Sequence, residues 1–271
     1  MKYKEFLIVL GLSRSGTTLL ASLLHAYPEI ELRFEPWHSM QPRPPIFTGI
    51  NWFDSFYSGI YGSKAPKSKF GGFKETFGGR DAITWTSQVL ENIQKNSSIP
   101  VKIIVIIRDI IHVYLSNIGG YQKYWAQNSD KYIASADDFL RYSLPENIFS
   151  LQALIALQQK YGGVFVSYKS LIEKPELTIN ELTNFLEIDY NSNLLEYYKH
   201  IDIRQVMGDK GVADNPQLPS FEYYERRAKD AEHFEMNFPS INNNASLQAV
   251  RMLVNYIDTK GVSDTCRYGA L

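Results

Sequence analysis

Near its start the chain carries Gly11-Leu-Ser-Arg14-Ser-Gly16-Thr17-Thr18, residue types suited to holding an anion. A glycine-bearing turn between a strand and a helix points backbone N–H groups, and the positive end of the helix dipole, at a bound anion. Gly11 and Gly16 have the spacing of a phosphate-binding P-loop, but Thr17 stands where such a loop carries its lysine. The cation lies inside the turn instead, on Arg14. A P-loop lysine reaches forward to the β- and γ-phosphates of a triphosphate, whereas Arg14 is placed to cradle a shorter phosphate arm. Thr17 and Thr18 offer hydroxyl donors at the start of the helix.

Such a turn must leave a buried strand and open a helix. Glu5–Leu10 is a short continuous apolar run, as in a strand buried on both faces of a parallel sheet. Leu19, Leu20, Leu23 and Leu24 form one stripe of a helix over Thr17–Tyr27, which Pro28 stops. Val101–Ile107, rich in β-branched residues, reads as a strand running into a helix over Asp109–Ile118. Farther on, the pattern predicts a long helix over Asp137–Tyr161 kinked at Pro145, a third strand at Val164–Tyr168 and a closing amphipathic helix at Ser246–Ile257. A helix over Pro175–Leu186 should bury Leu177, Leu182, Phe185 and Leu186. Strands alternating with helices predict a three-layer α/β/α fold around a central parallel sheet, with ligands at the carboxyl ends of the strands. Two segments break the rhythm: 41–77, rich in Pro, Gly and aromatics, and 207–219. They are expected to be loops covering acceptor and cofactor, within a single domain over 1–271.

Composition narrows the class. Hydrophobic residues are 44% of the 271 and charged residues 21%, which excludes a disordered, collagen-like or coiled-coil chain. Lys and Arg total 28 against 29 Asp and Glu, so the basic surplus of a nucleic-acid-coating protein is missing and anion binding must be local. Cys266 is the single cysteine, permits no internal disulfide and fits a reducing cytoplasm. The apolar run Phe6–Leu12 meets Ser13 and Arg14 without a signal-peptide cleavage site, and no stretch reaches the ~20 apolar residues of a membrane span. The expectation is a cytoplasmic protein. No His, Cys and Asp cluster has metal-ligand spacing, so no metal requirement is expected.

Arg14-Ser15-Gly16-Thr17-Thr18-Leu-Leu after an apolar strand resembles the 5′-phosphosulfate loop of the sulfotransferases. That family takes its sulfuryl group from 3′-phosphoadenosine 5′-phosphosulfate (PAPS) and releases adenosine 3′,5′-bisphosphate (PAP), on a P-loop-like nucleotide-binding fold. Its second signature is an Arg at the end of a later strand with a Ser eight residues on, together holding the 3′-phosphate; Arg108 and Ser116 match it. An arginine fork suits phosphate, and eight residues of helix is just over two turns. The 3′-phosphate distinguishes PAPS from ATP. Tyr168, in Phe165-Val-Ser-Tyr168-Lys169-Ser-Leu, is similar to the start of the family's Tyr-Glu-Asp-Leu segment and is implied to sit by the adenine, with Lys169 where the family often has Glu. Lys210 and Gly211 are similar to the family's late basic loop over the 3′-phosphate. The resemblance spans about residues 5 to 190.

Sulfuryl transfer to a hydroxyl needs a deprotonated acceptor oxygen, in-line placement and positive charge on the departing phosphate. Arg14 would supply that charge. Glu35 stands twenty-one residues after Arg14, the interval at which the tyrosylprotein branch of the family places its catalytic Glu, so the resemblance implies Glu35 as general base. His38 is the rival, because many cytosolic members use His and its ordinary pKa suits the task. Lys74 resembles a lysine that other members place beside the transferring group. Trp52, Phe53, Phe56, Tyr57 and Tyr61 could line an acceptor pocket, with Tyr121, Tyr124, Trp125 and Tyr132 beyond the second anchor. Lys64, Lys67 and Lys69 could meet an anionic acceptor. A saccharide, a lipid-like alcohol and other small molecules such as phenols stay open as acceptors. Two other functions are weighed: a divergent P-loop kinase, opposed by the absent lysine and by Arg108 preceding Asp109, and a noncatalytic nucleotide-binding module. The module would be favoured if Glu35, His38 and Lys74 pointed away from the Arg14 loop.

Overall fold

Along β1 (Glu5–Leu12) successive side chains point to opposite faces of the sheet, and all from Phe6 to Leu12 are buried. Phe6, Ile8, Leu10 and Leu12 join one apolar cluster, Leu7 and Val9 another. A strand apolar on both faces requires helices above and below it. The computed structural model, which describes residues 4–39, 68–96, 98–125, 133–199 and 217–265, contains them.

The sheet is parallel, in the order β2-β3-β1-β4-β5, with β2 at Ile30–Phe34, β3 at Phe70–Phe77, β4 at Val101–Ile107 and β5 at Gly163–Ser167. One face is covered by α1 (Thr17–His25) and, later in the chain, by α6 (Tyr168–Glu173) and α7 (Pro175–Leu186). The short α2 (Pro36–Ser39) follows β2. The other face is covered by α3 (Arg80–Asn96), α4 (Ile110–Gly120), α5 (Leu144–Tyr161), α8 (Phe221–Asn237) and most of α9 (Ala245–Thr265, broken at Gly261). This is the expected three-layer α/β/α arrangement. The chain leaves β1 toward β2 in one direction and, after β3, crosses to β4 on the other side. The carboxyl ends of β1 and β4 therefore lie adjacent where the connections diverge, the place such sheets bind ligands.

Several boundaries differ from the sequence reading. Residues 70–77, expected to be loop, form β3 between β2 and β1. Two glycines and the Lys74-Glu75 pair hide it, and one of those glycines is required: a Cβ at Gly72 would sit 1.6 Å from the Leu7 carbonyl oxygen. Of the two expected loops, 41–67 and 207–216 lie outside the described residues. Tyr168 opens α6 and does not end β5, because Ser167 caps that helix by accepting from Ser170 N at 3.2 Å. The kink expected at Pro145 is a π-turn at Phe139–Ser143 leading into α5, with the proline in the first helical turn where its missing N–H costs nothing. Leu177 is 54% exposed; Thr178, Ile179, Leu182 and Leu186 take the buried face of α7. Among the described residues no helix is long and apolar enough to cross a membrane.

Candidate active site

The turn after β1 is built from two left-handed residues, Arg14 at φ 66 and Gly16 at φ 102. Ser15 N closes it on Leu12 O at 3.1 Å. Gly16 caps α1 with no side chain to accept from the first turn, so those backbone donors are left for an anion. The Ser15 hydroxyl is fully buried with no hydrogen-bond partner among the described residues. Thr17 and Thr18 follow, both buried.

The second anchor meets this turn. Arg14 Nε donates to Ser116 Oγ at 3.3 Å, and Arg108 Nη1 donates to Arg14 O at 3.2 Å. Ser13 Oγ donates to Asn117 Oδ1 at 3.4 Å, a contact the sequence reading did not foresee. Arg108 is 9% exposed and its Nε has no partner among the described residues. Burial pushes its pKa down, yet it stays a cation, stacked with Cζ 4.3 Å from the centroid of the Tyr168 ring. The same ring fills the space beside Gly16, where a Cβ would fall 2.4 Å from Tyr168 Cδ2. An orphaned hydroxyl on one turn and an orphaned guanidinium nitrogen on the next, with an uncapped helix N-terminus, suit a ligand carrying two anionic groups.

Glu35 and Lys74 are in contact. The Lys74 ammonium is fully buried and donates to Glu35 Oε1, while the Glu35 side chain is 14% exposed. Glu35 sits at φ 48, where β2 turns into α2, and its N–H extends the β2–β3 ladder to Lys74 O at 2.7 Å. Lys74 lies opposite Val9, and two residues on Thr76 lies opposite Gly11, so the pair shares the carboxyl end of the sheet with the Arg14 turn. Glu75, which the sequence reading passed over, is fully buried and accepts from Trp37 N at 2.7 Å and Thr76 N at 3.0 Å.

Behind Arg108 the chain is tied to its C-terminal helices. Asp109 caps α4 by accepting from Ile111 N at 2.8 Å and also accepts from Arg251 Nε at 3.1 Å. Arg251 in turn holds Glu235. His112 packs on Tyr224 of α8 with ring centroids 5.8 Å apart, and burial above all pushes its pKa down to about 4. Tyr224 lies 6.2 Å from Tyr168, and burial pushes its hydroxyl up to about 12.

Arg14, Ser15, Gly16, Thr17, Thr18, Arg108, Ser116 and Tyr168 thus gather past the ends of β1, β4 and β5, with Glu35 just past β2 and Lys74 within β3 opposite the last residue of β2. The His38 side chain, Lys210 and Gly211 lie outside the described residues, as do 52–61, Lys64, Lys67, Tyr132 and the side chains of Tyr124 and Trp125. Lys69 does not belong with the acceptor. It precedes β3 at the amino end of the sheet, donates to Leu186 O at 3.0 Å and pairs with Glu5 at 3.4 Å. Among the described residues no group of three or more His, Cys, Asp or Glu could hold a metal ion.

A parallel sheet whose first and fourth strands end in turns joined through Arg14 and Arg108 defines the class as an α/β domain. Residues 4–220 match the sulfotransferase domain family, and the chain belongs to it. Among solved structures, the sulfotransferase domain of the Synechococcus PCC 7002 olefin synthase aligns at TM-score 0.53 and 14% identity, covering 88% of this chain and 96% of that one. Mouse sulfotransferase SULT7A1, complexed with PAP, aligns at 0.52 and 12% identity over 93% of this chain and 89% of its own. The sulfotransferase domain from the curacin biosynthetic pathway aligns at 0.52 and 13% identity over 94% and 99%. These likenesses establish the fold. A search of curated proteins gives no match.

Proposed function

We propose that this protein is a single-domain cytoplasmic sulfotransferase that moves the sulfuryl group of PAPS to a hydroxyl of a saccharide, lipid-like alcohol or other small molecule. The observation that carries this is the joining of the two anchors: Arg108 on Arg14 O and Arg14 on Ser116, with Ser15 Oγ and Arg108 Nε buried and unpartnered among the described residues. Membership of the sulfotransferase family and the PAP bound to mouse SULT7A1 support the choice of nucleotide.

PAPS supplies the sulfuryl group and leaves as PAP. The Ser15, Gly16, Thr17 and Thr18 turn, with the α1 dipole, would hold the 5′-phosphosulfate, and Arg14 would neutralise charge growing on the leaving phosphate. Arg108 and Ser116 would hold the 3′-phosphate, with Lys210 and Gly211 closing over it and Tyr168 beside the adenine. Glu35 would take the acceptor proton as the new oxygen–sulfur bond forms and the bond to the leaving phosphate breaks. Lys74 would sit beside the transferring group, its charge balanced by Glu35 until an acceptor arrives. His38 is the alternative base. The chemistry assigned to these side chains requires no metal.

The first test is thermal stability with PAP in buffer without metal, against ATP with magnesium. A ligand at 100 times its dissociation constant adds ~2.7 kcal/mol, worth roughly 2–4 °C per kcal/mol in a protein of this size. Stabilisation by PAP is the expected result, and PAP formation from PAPS with a mixed pool of simple sugars, long-chain alcohols and phenols should follow. Stabilisation by ATP-magnesium alone would identify a kinase. Binding of PAP without turnover of any acceptor in the pool would favour a noncatalytic module.

A further inference from the structure

A carboxylate buried to zero exposure is rare unless its oxygens are satisfied, and Glu75 has this burial beside an equally buried Lys74. Consecutive residues of a strand face opposite ways, so Lys74 and Glu75 grip the same corner of the chain from the two faces of β3. On one face Lys74 holds the Glu35 side chain. On the other, the Glu75 carboxylate takes the Trp37 N–H at 2.7 Å, with its second oxygen anchored on Thr76 N. Pro36 has no N–H, so Trp37 carries the first backbone N–H of α2. The residue positioned to cap that donor is Glu35, whose carboxylate is turned away onto Lys74. Glu75 caps α2 in its place. Trp37 is fixed further by its ring, 5.9 Å from Trp85, which packs at 5.4 Å on Phe73.

Resting on the reading of Glu35 as general base, we propose that Glu75 is a positioning residue for the transfer. Its buried carboxylate locks the β2–α2 corner, holds Glu35 in its left-handed conformation and spares the Glu35 carboxylate from capping α2, so that it faces Lys74 and an incoming acceptor. A non-glycine residue at positive φ costs about 1–3 kcal/mol and persists only where its surroundings over-determine it. Here those surroundings are the Glu35 N–H on Lys74 O, the Glu35–Lys74 pair and the Glu75 cap.

The experiment compares wild type, Glu75→Ala, Glu75→Gln, Glu35→Gln and the double variants. Each is crystallised with PAP and assayed for PAP formed from PAPS with the mixed acceptor pool, per PAP-binding site. In Glu75→Ala, Glu35 should leave the left-handed region and part from Lys74, and turnover should fall about 10–100-fold, as expected of a misplaced catalytic group. PAP affinity should stay within about twofold, and in the Glu35→Gln background Glu75→Ala should cause no further fall. An unmoved Glu35, or equal falls in both backgrounds, overturns the proposal. Full turnover in Glu35→Gln rejects the base and this proposal with it. Loss in Glu35→Gln beside normal turnover in both Glu75 variants rejects only the positioning. Glu75→Gln keeps the size and one acceptor oxygen, should show intermediate effects, and carries the same comparisons if the alanine variant does not fold.

Discussion

Arg108 Nη1 donates to the main-chain carbonyl of Arg14 across 3.2 Å, joining the turn after β4 to the turn after β1. The left-handed φ of 66° at Arg14 gives that carbonyl its direction, while the Arg14 side chain reaches Ser116. Strain in the turn is therefore held by the second anchor, and the two halves of the cradle are one mechanical unit. Loosening either half should be felt by the other.

Arg108→Ala should weaken PAP binding about 10–100-fold, the range for losing charge-assisted hydrogen bonds to a buried phosphate. Adenosine 5′-phosphate should lose much less, because it lacks the group that Arg108 is proposed to hold. Titration calorimetry with the two ligands checks this, and equal losses would move Arg108 away from the 3′-phosphate.

Gly16→Ala puts a Cβ at φ 102 and within 2.4 Å of Tyr168 Cδ2. The left-handed strain alone costs about 1–3 kcal/mol, and Tyr168 is pinned under Arg108 and cannot yield easily. A lowered unfolding midpoint and loss of PAP-induced stabilisation are expected in the same thermal scan. Normal PAP stabilisation in the variant would show that the turn tolerates a different shape.

Glu35→Gln should lower turnover by more than ~100-fold, the scale of a lost general base, with PAP affinity nearly intact. Steady-state assay beside PAP titration separates the two effects. Full turnover would pass the role to His38.

His112 gives a pH dependence of defined sign. It faces Asp109 at the cap of its own helix, Arg108 before it, Arg227 and Tyr224 of α8 and Arg251 of α9. Burial lowers its pKa to about 4, Asp109 pulls upward, and the three arginines push down again. The unfolded chain takes up that proton near pH 6.5 while the native state refuses it until about 4, so stability is lost as pH falls through this window. The full amplitude is ~3 kcal/mol. Asp258, whose carboxyl is pushed up by burial, acts in the opposite sense and gives up stability as pH rises. His112→Gln leaves Asp258 in place, so the variant should lose less stability than wild type between about pH 7 and about pH 4.5 in urea unfolding. Equal losses would show that His112 is not the group responsible.

Much of this molecule is local and was therefore legible. Arg14, Gly16 and the two threonines mark the turn between β1 and α1, because backbone donors at a helix start are a property of a few consecutive residues. The strand at Val101–Ile107 is marked by its β-branched run, and the helix at Pro175–Leu186 by its terminal proline and spacing. Edge strand β2 shows alternation at Ile30, Leu32 and Phe34, a period-2 signal that could have found it. Other features depend on distant neighbours. Phe70–Phe77 is an interior strand only because Leu7 passes so close that Gly72 must be glycine. Lys74 lies in a segment that reads as loop until β1 and β2 enclose it and Glu35 arrives to pair with it. Nothing near Glu75 in sequence tells that it caps a helix beginning at Pro36. Residue types and short spacings determined what each turn could bind. Which carbonyl Arg108 would hold, and which carboxylate Lys74 would pair with, was decided only when strands far apart in the chain came side by side and buried their charges together.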